Sequence, residues 1–209
     1  MSAEAELSDD EARLPQWRRT LAAMLAVQVV MSMAFTFLGP ILPLFLPELG
    51  VADDTELYLW CGALASVTSL VAALVSPLWG RVADRRGRKQ MVLRASFAIG
   101  ICMILMGLSQ DVWQILGARI LMGVFAGFSA ASVILISTQV PVRHLTFALG
   151  LMSSGQLVGS LLGPVFGGLF ADFTGSYRLP FFAGGILALA AGALCFATVH
   201  EVFTPPKAG

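Results

Sequence analysis

The chain has 209 residues, of which 57% are hydrophobic and only 12% charged, with a mean hydropathy of +0.81. Soluble domains carry about 25% charged residues, and a water-soluble core cannot absorb this much apolar sequence. The composition therefore excludes an ordinary soluble domain and indicates an all-α polytopic membrane protein, with the lipid bilayer as its first partner. The formal net charge is zero, so the distribution of charge along the chain matters more than its sum, and no nucleic-acid partner is expected.

Residues 1–16 are polar, of mixed charge, and read as a cytoplasmic tail. Arg18-Arg19 precedes an apolar run from Leu21 to Leu46 that is too long for a signal-peptide core and lacks a small-residue cleavage pattern. It reads as a retained first span. The apolar windows predict six spans, at about 18–46, 57–79, 90–109, 112–137, 145–170 and 180–199. The first and fifth are longer than a bilayer needs, and Pro40, Pro43 and Pro164 offer places to kink. The transmembrane domain is expected over 17–200, and 201–209 as the start of a cytoplasmic linker or tail.

With both termini inside, the cytoplasmic segments hold Arg13, Arg18, Arg19, Arg81, Arg85, Arg86, Arg88, Lys89, Arg94, Arg143 and Lys207. The outer segments keep only Arg178 and carry Glu48, Asp53, Asp54, Glu56, Asp111 and Asp172. Eleven cations against one place both termini in the cytoplasm by the positive-inside rule. Trp17, Trp60, Trp79 and Trp113 fall near span ends, where amphipathic rings anchor.

One stretch concentrates the charge: Gly80-Arg81-Val82-Ala83-Asp84-Arg85-Arg86-Gly87-Arg88-Lys89. Its glycines are expected to turn the chain between two antiparallel helices. Asp84 falls where a helix ends, an unfavourable place for an anion unless cations or another helix's N-terminus lie nearby. A bare orientation signal would need the cations but not Gly80, Asp84 and Gly87. The pattern Gly80-x-x-Ala83-Asp84-x-x-Gly87 recurs 88 residues later as Gly168-x-x-Ala171-Asp172-x-x-Gly175. Three spans separate the copies, so they face opposite sides, as an inverted 3+3 repeat over about 17–109 and 112–200 requires. Chance similarity of so short a pattern is the alternative.

In the fifth span Gly155, Gly159, Gly163 and Gly167 recur every four residues, joined by Pro164 and Gly168. That spacing makes a smooth helix face that another helix can approach closely. Arg119 is the one ionisable residue well inside a span, and it must face protein or water, or else snorkel to the outer surface. Gly123 and Gly127 follow on its face and mark it as close-packed or cavity-lining. In the first span Gln28, Ser32, Phe35, Thr36 and Gly39 form a stripe suited either to lining a pathway or to helix packing. Cys61, Cys102 and Cys195 have no ligand spacing and read as small apolar side chains. His144 and His200 read as solvated or interfacial. No metal, cofactor or enzymatic centre is expected.

Together these residues resemble the major facilitator superfamily. The stretch from Gly80 to Lys89 is similar to that family's signature loop, with Val82 in place of the commoner Leu. Ile115 through Gly127, with Arg119 and Gly123, resembles its fourth-helix motif, and Gly159 through Gly168 resembles the fifth-helix motif of proton-driven drug exporters. The resemblance implies a proton:substrate antiporter of the multidrug-efflux branch, here as the amino-terminal six-helix half. It implies a conformational latch at Gly80, Asp84, Arg85, Gly87, Arg88 and Lys89, fifth-helix glycines packed against the other half, and a part for Arg119 in proton coupling. Its partners would be a small-molecule substrate, protons and a second six-helix half, from the same chain or a second copy. A metabolite or sugar permease, or a six-span accessory protein working through a partner, are the alternatives. No Asp or Glu lies within an expected span, so a proton-carrying carboxylate is expected elsewhere.

Overall fold

The structure is a computed structural model that describes residues 16–51, 53–199 and 201, the side chains of Asp84, Arg85 and Arg86 excepted. The expectations for the tail, for 202–209, for His200, and for the Asp84 and Arg85 side chains lie outside what it describes. The described residues form helices α1 (Trp17–Thr36), α2 (Leu42–Phe45), α3 (Asp54–Arg86), α4 (Arg88–Leu108), α5 (Val112–Val124), α6 (Phe128–Gln139), α7 (Val142–Thr174) and α8 (Leu179–Thr198). Six segments are long and apolar enough to cross a membrane, with α5 and α6 making up the fourth. The arrangement is an all-helical, six-span inverted repeat.

Three boundaries differ from the sequence reading, each for a local reason. The first span stops at Thr36, and the chain goes on through turns around Gly39 and Pro40 into α2 and a 3₁₀ turn, Leu46–Leu49. Prolines at 43 and 47 start new turns more readily than they continue an old one. The second span overruns its expected end by seven residues, because Gly80 is helical and the helix runs to Arg86. The fourth is interrupted between Val124 and Phe128.

Two of the acidic residues expected outside, Asp53 and Asp111, are helix caps. Asp53 accepts from the Glu56 amide at 3.1 Å at the start of α3, and Asp111 from the Gln114 amide at 2.9 Å at the start of α5. Each satisfies an N–H that the helix leaves free, and the negative charge suits the positive end of the helix dipole.

Glycine sets how the helices pack. On α7, Gly155, Gly159, Gly163, Gly167 and Ala171 are buried, and the first four lie against α1. A Cβ at Gly159 would run into the Val29 carbonyl oxygen, one at Gly163 into Thr36 Oγ1, and one at Gly167 into the Phe37 carbonyl oxygen. Two residues further along the helix, about 200° around it, Leu157, Leu161, Val165, Leu169 and Phe173 are all exposed. The glycine face is therefore occupied by the chain's own first span. The face turned outward is a leucine-rich ridge.

The third and sixth spans pack in the same manner. A Cβ at Gly100 would come within 2.9 Å of the Gly185 carbonyl oxygen, and one at Gly185 within 2.9 Å of the Gly100 carbonyl oxygen. The flanks of α8 also close both ends of α4. Glu201 accepts from the Arg88 and Lys89 amides at 2.7 and 2.9 Å, and Arg178 donates to the Ser109 and Gly107 carbonyls at 2.8 and 3.3 Å. A carboxylate at the N-terminus and a guanidinium at the C-terminus both oppose the helix dipole, and hydrogen bonds to charged groups contribute about 1.5–3 kcal/mol each. This explains why Arg178 is the one cation at the acidic end.

Candidate functional site

A cavity of about 310 Å³ lies where α1, α3, α7 and the break in the fourth span converge. Ser32, Phe35 and Thr36 line it from α1, Thr68 and Ser69 from α3, Met122 from α5, and Gln156 and Ser160 from α7. Hydroxyls and an amide alternate with methionine and phenylalanine, so the wall offers apolar contact with a few hydrogen-bonding points. The stripe expected on the first span divides at this wall. Ser32, Phe35 and Thr36 reach the cavity, whereas Gln28 is buried behind it.

Gln28 ties three spans together. It accepts from the Ser132 hydroxyl at 2.8 Å and donates its amide to Gln156 Oε1 at 3.3 Å. A buried amide must find partners or cost about 1–3 kcal/mol, and this one finds them on α6 and α7. Gln156 carries the network to the cavity wall. Its contribution is not visible in the sequence, because its neighbours on α7 are glycines and leucines.

Gly123 lies outside the lining. Its Cα faces α3, where a Cβ would meet the Thr68 carbonyl oxygen at 2.7 Å and Val71 at 2.9 Å. Close helix approach is the use of small residues in a bilayer. Arg119 sits one turn earlier on the same helix and is absent from the cavity lining. Its backbone carbonyl accepts from the Thr68 hydroxyl at 3.3 Å, and its side-chain Nε is closed from solvent without a hydrogen-bond partner.

The fourth-span break supplies the rest of the wall, through Ala126, Gly127, Phe128, Ser129 and Ala130. Gly127 has a φ of +105°, open to glycine and rarely to other residues. The interruption frees carbonyls, which two side chains take up. The Trp79 indole N–H donates to the Val124 carbonyl at 2.6 Å, and Arg94 Nη2 donates to the Ala126 carbonyl at 3.0 Å. The Arg94 guanidinium lies over the Trp79 indole, its central carbon 3.4 Å from the ring centroid. The sequence reading placed Trp79 among interfacial anchors and Arg94 among orientation charges. Beyond those readings, both hold the irregular backbone of the break. The signal that could have found them is Gly123-Val124-Phe125-Ala126-Gly127, a glycine pair inside an apolar run, which demands donors from neighbouring helices.

At the cation-rich end Gly87 makes the turn from α3 to α4, with φ +91° and ψ 157°. This replaces the expectation that Gly80 shares in the turn: Gly80 is helical and a Cβ there would meet nothing within 4 Å. Lys89 Nζ donates to the Phe196 carbonyl at 3.0 Å. Glu201 sits directly over the Gly87 turn, where a Cβ at Gly87 would approach its carboxylate to 2.8 Å. Pro164 and Gly168 on α7 point away from the glycine face, Pro164 being exposed and Gly168 half-buried with open space around it. Cys102 and Cys195 are buried and Cys61 half-buried, all as free thiols.

A six-span inverted-repeat bundle with an amphipathic central cavity and a charged turn between its second and third spans is one half of a major-facilitator fold. A profile described as Major Facilitator Superfamily matches residues 24–209, and the chain belongs to that family. It is 42% identical over 193 residues to the multidrug resistance protein MdtG of Escherichia fergusonii, covering 90% of this chain and 46% of that protein. It is 40% identical over 189 residues to the MdtG of Yersinia enterocolitica, covering 90% and 45%. Among solved structures, that of the human organic anion transporter MFSD10 (TETRAN) superposes with a TM-score of 0.78 at 19% identity, over 91% of this chain and 49% of that one. The chain spans about half the length of the relatives it matches.

Proposed function

We propose that the chain is one half of a secondary active transporter that exports small amphipathic molecules in exchange for protons by alternating access. The observation that carries the reading is the central cavity, whose mixed wall of Met31, Phe35, Thr36, Ser69, Gln156 and Ser160 suits a substrate with apolar bulk and few polar groups. The names of the relatives, multidrug resistance proteins, support the same substrate class. In this reading the protein is a multi-pass protein of the inner membrane, with the cation-rich end and both termini in the cytoplasm.

A second six-helix half, from the same chain or another copy, is favoured because the chain spans about half the length of the relatives it matches. The exposed ridges Leu157–Leu161–Val165–Leu169 on α7 and Leu70–Leu74–Leu78 on α3 suit lipid and such a half alike. The stretch from Gly80 to Lys89, with Gly80, Asp84, Arg85, Gly87, Arg88 and Lys89, is the proposed latch between halves. Arg119, with a buried unpartnered Nε, takes part in coupling by pairing with an anion in another conformation. It cannot itself carry the proton, since guanidinium stays charged. The carrier is assigned to a carboxylate of the second half.

The test is dye efflux from proteoliposomes containing the protein of the full reading frame under an imposed proton gradient. Efflux that stops when an ionophore collapses the gradient is expected. Efflux that continues unchanged would exclude proton coupling, and none at all would favour the accessory-protein reading.

A further inference from the structure

The break in the fourth span is a wall between two spaces. On one side is the central cavity; on the other, towards the cation-rich end, a second cavity of about 430 Å³ lies between α3, α4 and α6. Ala72, Ala126, Gly127 and Ala130 line both. The wall is therefore thin, made of small side chains and non-helical backbone. The backbone stiffens this wall only in part: the Phe125 and Ala126 amides bond to the Leu121 and Gly123 carbonyls at 3.2 Å each, and the helix does not resume until Phe128. The freed carbonyls are held by the pair already described, with Trp79 on the Val124 carbonyl and Arg94 on the Ala126 carbonyl.

The pair is built for holding and for release. The cation–π contact of the guanidinium with the indole face at 3.4 Å draws Arg94 onto Trp79. Yet Arg94 Nε and Nη1 are closed off without hydrogen-bond partners. Two buried donors left unmade weigh against this conformation, so the clamped state is poised against an alternative in which Arg94 is fully paired.

We infer that Arg94 and Trp79 form an internal clasp that keeps the central cavity partitioned from the vestibule at the cation-rich end, and that its opening joins the two spaces. Arg94 and Trp79 are positioning residues that act through the Val124–Gly127 backbone and need not touch substrate. The inference rests on the transport reading for its purpose, but not for its test.

The test uses thiol accessibility in membrane vesicles holding the protein of the full reading frame, with the native cysteines replaced. Ser129→Cys places a thiol in the central cavity, and Ser76→Cys places one in the vestibule. A membrane-impermeant, sulfonate-bearing methanethiosulfonate is added from the cation-rich face. With Arg94 intact, the thiol at 76 is expected to react at least tenfold faster than the thiol at 129. Arg94→Gln should raise the rate at 129 about tenfold while changing the rate at 76 less than twofold. Arg94→Lys should behave as Arg94→Gln, because an ammonium has neither the planar stack nor the fork. Trp79→Phe keeps the stack and loses one donor, so an intermediate rise is expected, and it serves if Arg94→Gln fails to reach the membrane. An unchanged rate at 129, rates rising equally at both positions, or full rescue by Arg94→Lys would overturn the clasp. Altered accessibility without any dye export would retain the clasp and remove the transport reading.

Discussion

Two turns of this molecule share one pattern and differ in what stands over them. Gly87 ends α3 and Gly175 ends α7, each helix having 33 residues and the two starting 88 residues apart. At the cation-rich end Gly87 takes φ +91° and ψ 157°, and the Glu201 carboxylate closes over it onto the first amides of α4. At the other end Gly175 takes φ 62° and ψ 21°, and a Cβ there would meet nothing within 4 Å. The Gly87 turn is plugged by a carboxylate; the Gly175 turn is open. Identical glycine spacing thus preserves helix length and the site of the stop, while the neighbours decide whether the turn is a built contact or only a chain reversal.

The two 33-residue helices differ in a parallel way. α7 lies on α1 through four glycines, whereas α3 meets its neighbours through Leu64, Thr68 and Trp79 and leaves most of its surface open. The sharpest way to break this contrast is Gly159→Leu, which should cost about 3 kcal/mol by forcing α1 off α7. Gly168→Leu, in open space, should lie within about 0.5 kcal/mol of the parent. Thermal unfolding in detergent reads both.

Asparagine separates the turns next. Gly87 sits in a region that essentially only glycine enters, so Gly87→Asn should cost about 2–3 kcal/mol. Gly175 is in the ordinary left-handed region that asparagine tolerates, and Gly175→Asn should cost under about 1 kcal/mol. Equal losses would mean that the two turns are not distinguished by backbone conformation.

Removing the plug comes third. Glu201→Ala should cost about 2 kcal/mol through the lost charge-assisted bonds at 2.7 and 2.9 Å. Asp172→Asn, in the exposed echo of the pattern, should change stability by about 0.5 kcal/mol or less. Hydrogen exchange at the Arg88 and Lys89 amides would show the first loss directly.

The smallest effects belong to the glycines that lead each copy. Gly80 and Gly168 are both helical with open space around them, so alanine at either should stabilise by up to about 1 kcal/mol. A large loss of export in Gly80→Ala with stability intact would support a latch that needs a partner against Gly80. Unchanged export would leave Gly80 a helix residue and nothing more.

Composition, the six apolar runs, the distribution of cations and the 88-residue echo were enough for the membrane class, the number of spans and the inverted repeat. These depend on local quantities: hydropathy over a bilayer's thickness, and charge at span ends. Ser32, Phe35 and Thr36 were legible as a stripe because helical spacing alone puts them on one face. What the stripe could not say was where that face points, and Gln28, on the same helix, turned out to serve a buried bridge to Ser132 and Gln156. Arg94 and Trp79 were read only in part for a related reason. A cation and an indole near a predicted span end look like interfacial anchors and nothing more until the break, 45 residues from Trp79 and 32 from Arg94, presents carbonyls to them. The glycine stripe on α7 promised a close helix neighbour without naming it, since any helix with a small or yielding face would fit. Sequence by itself settles what each segment can do with water, lipid and its own backbone. Only the tertiary structure settles which segment meets which, because packing and hydrogen-bond partners are properties of pairs of surfaces that the chain brings together from far apart.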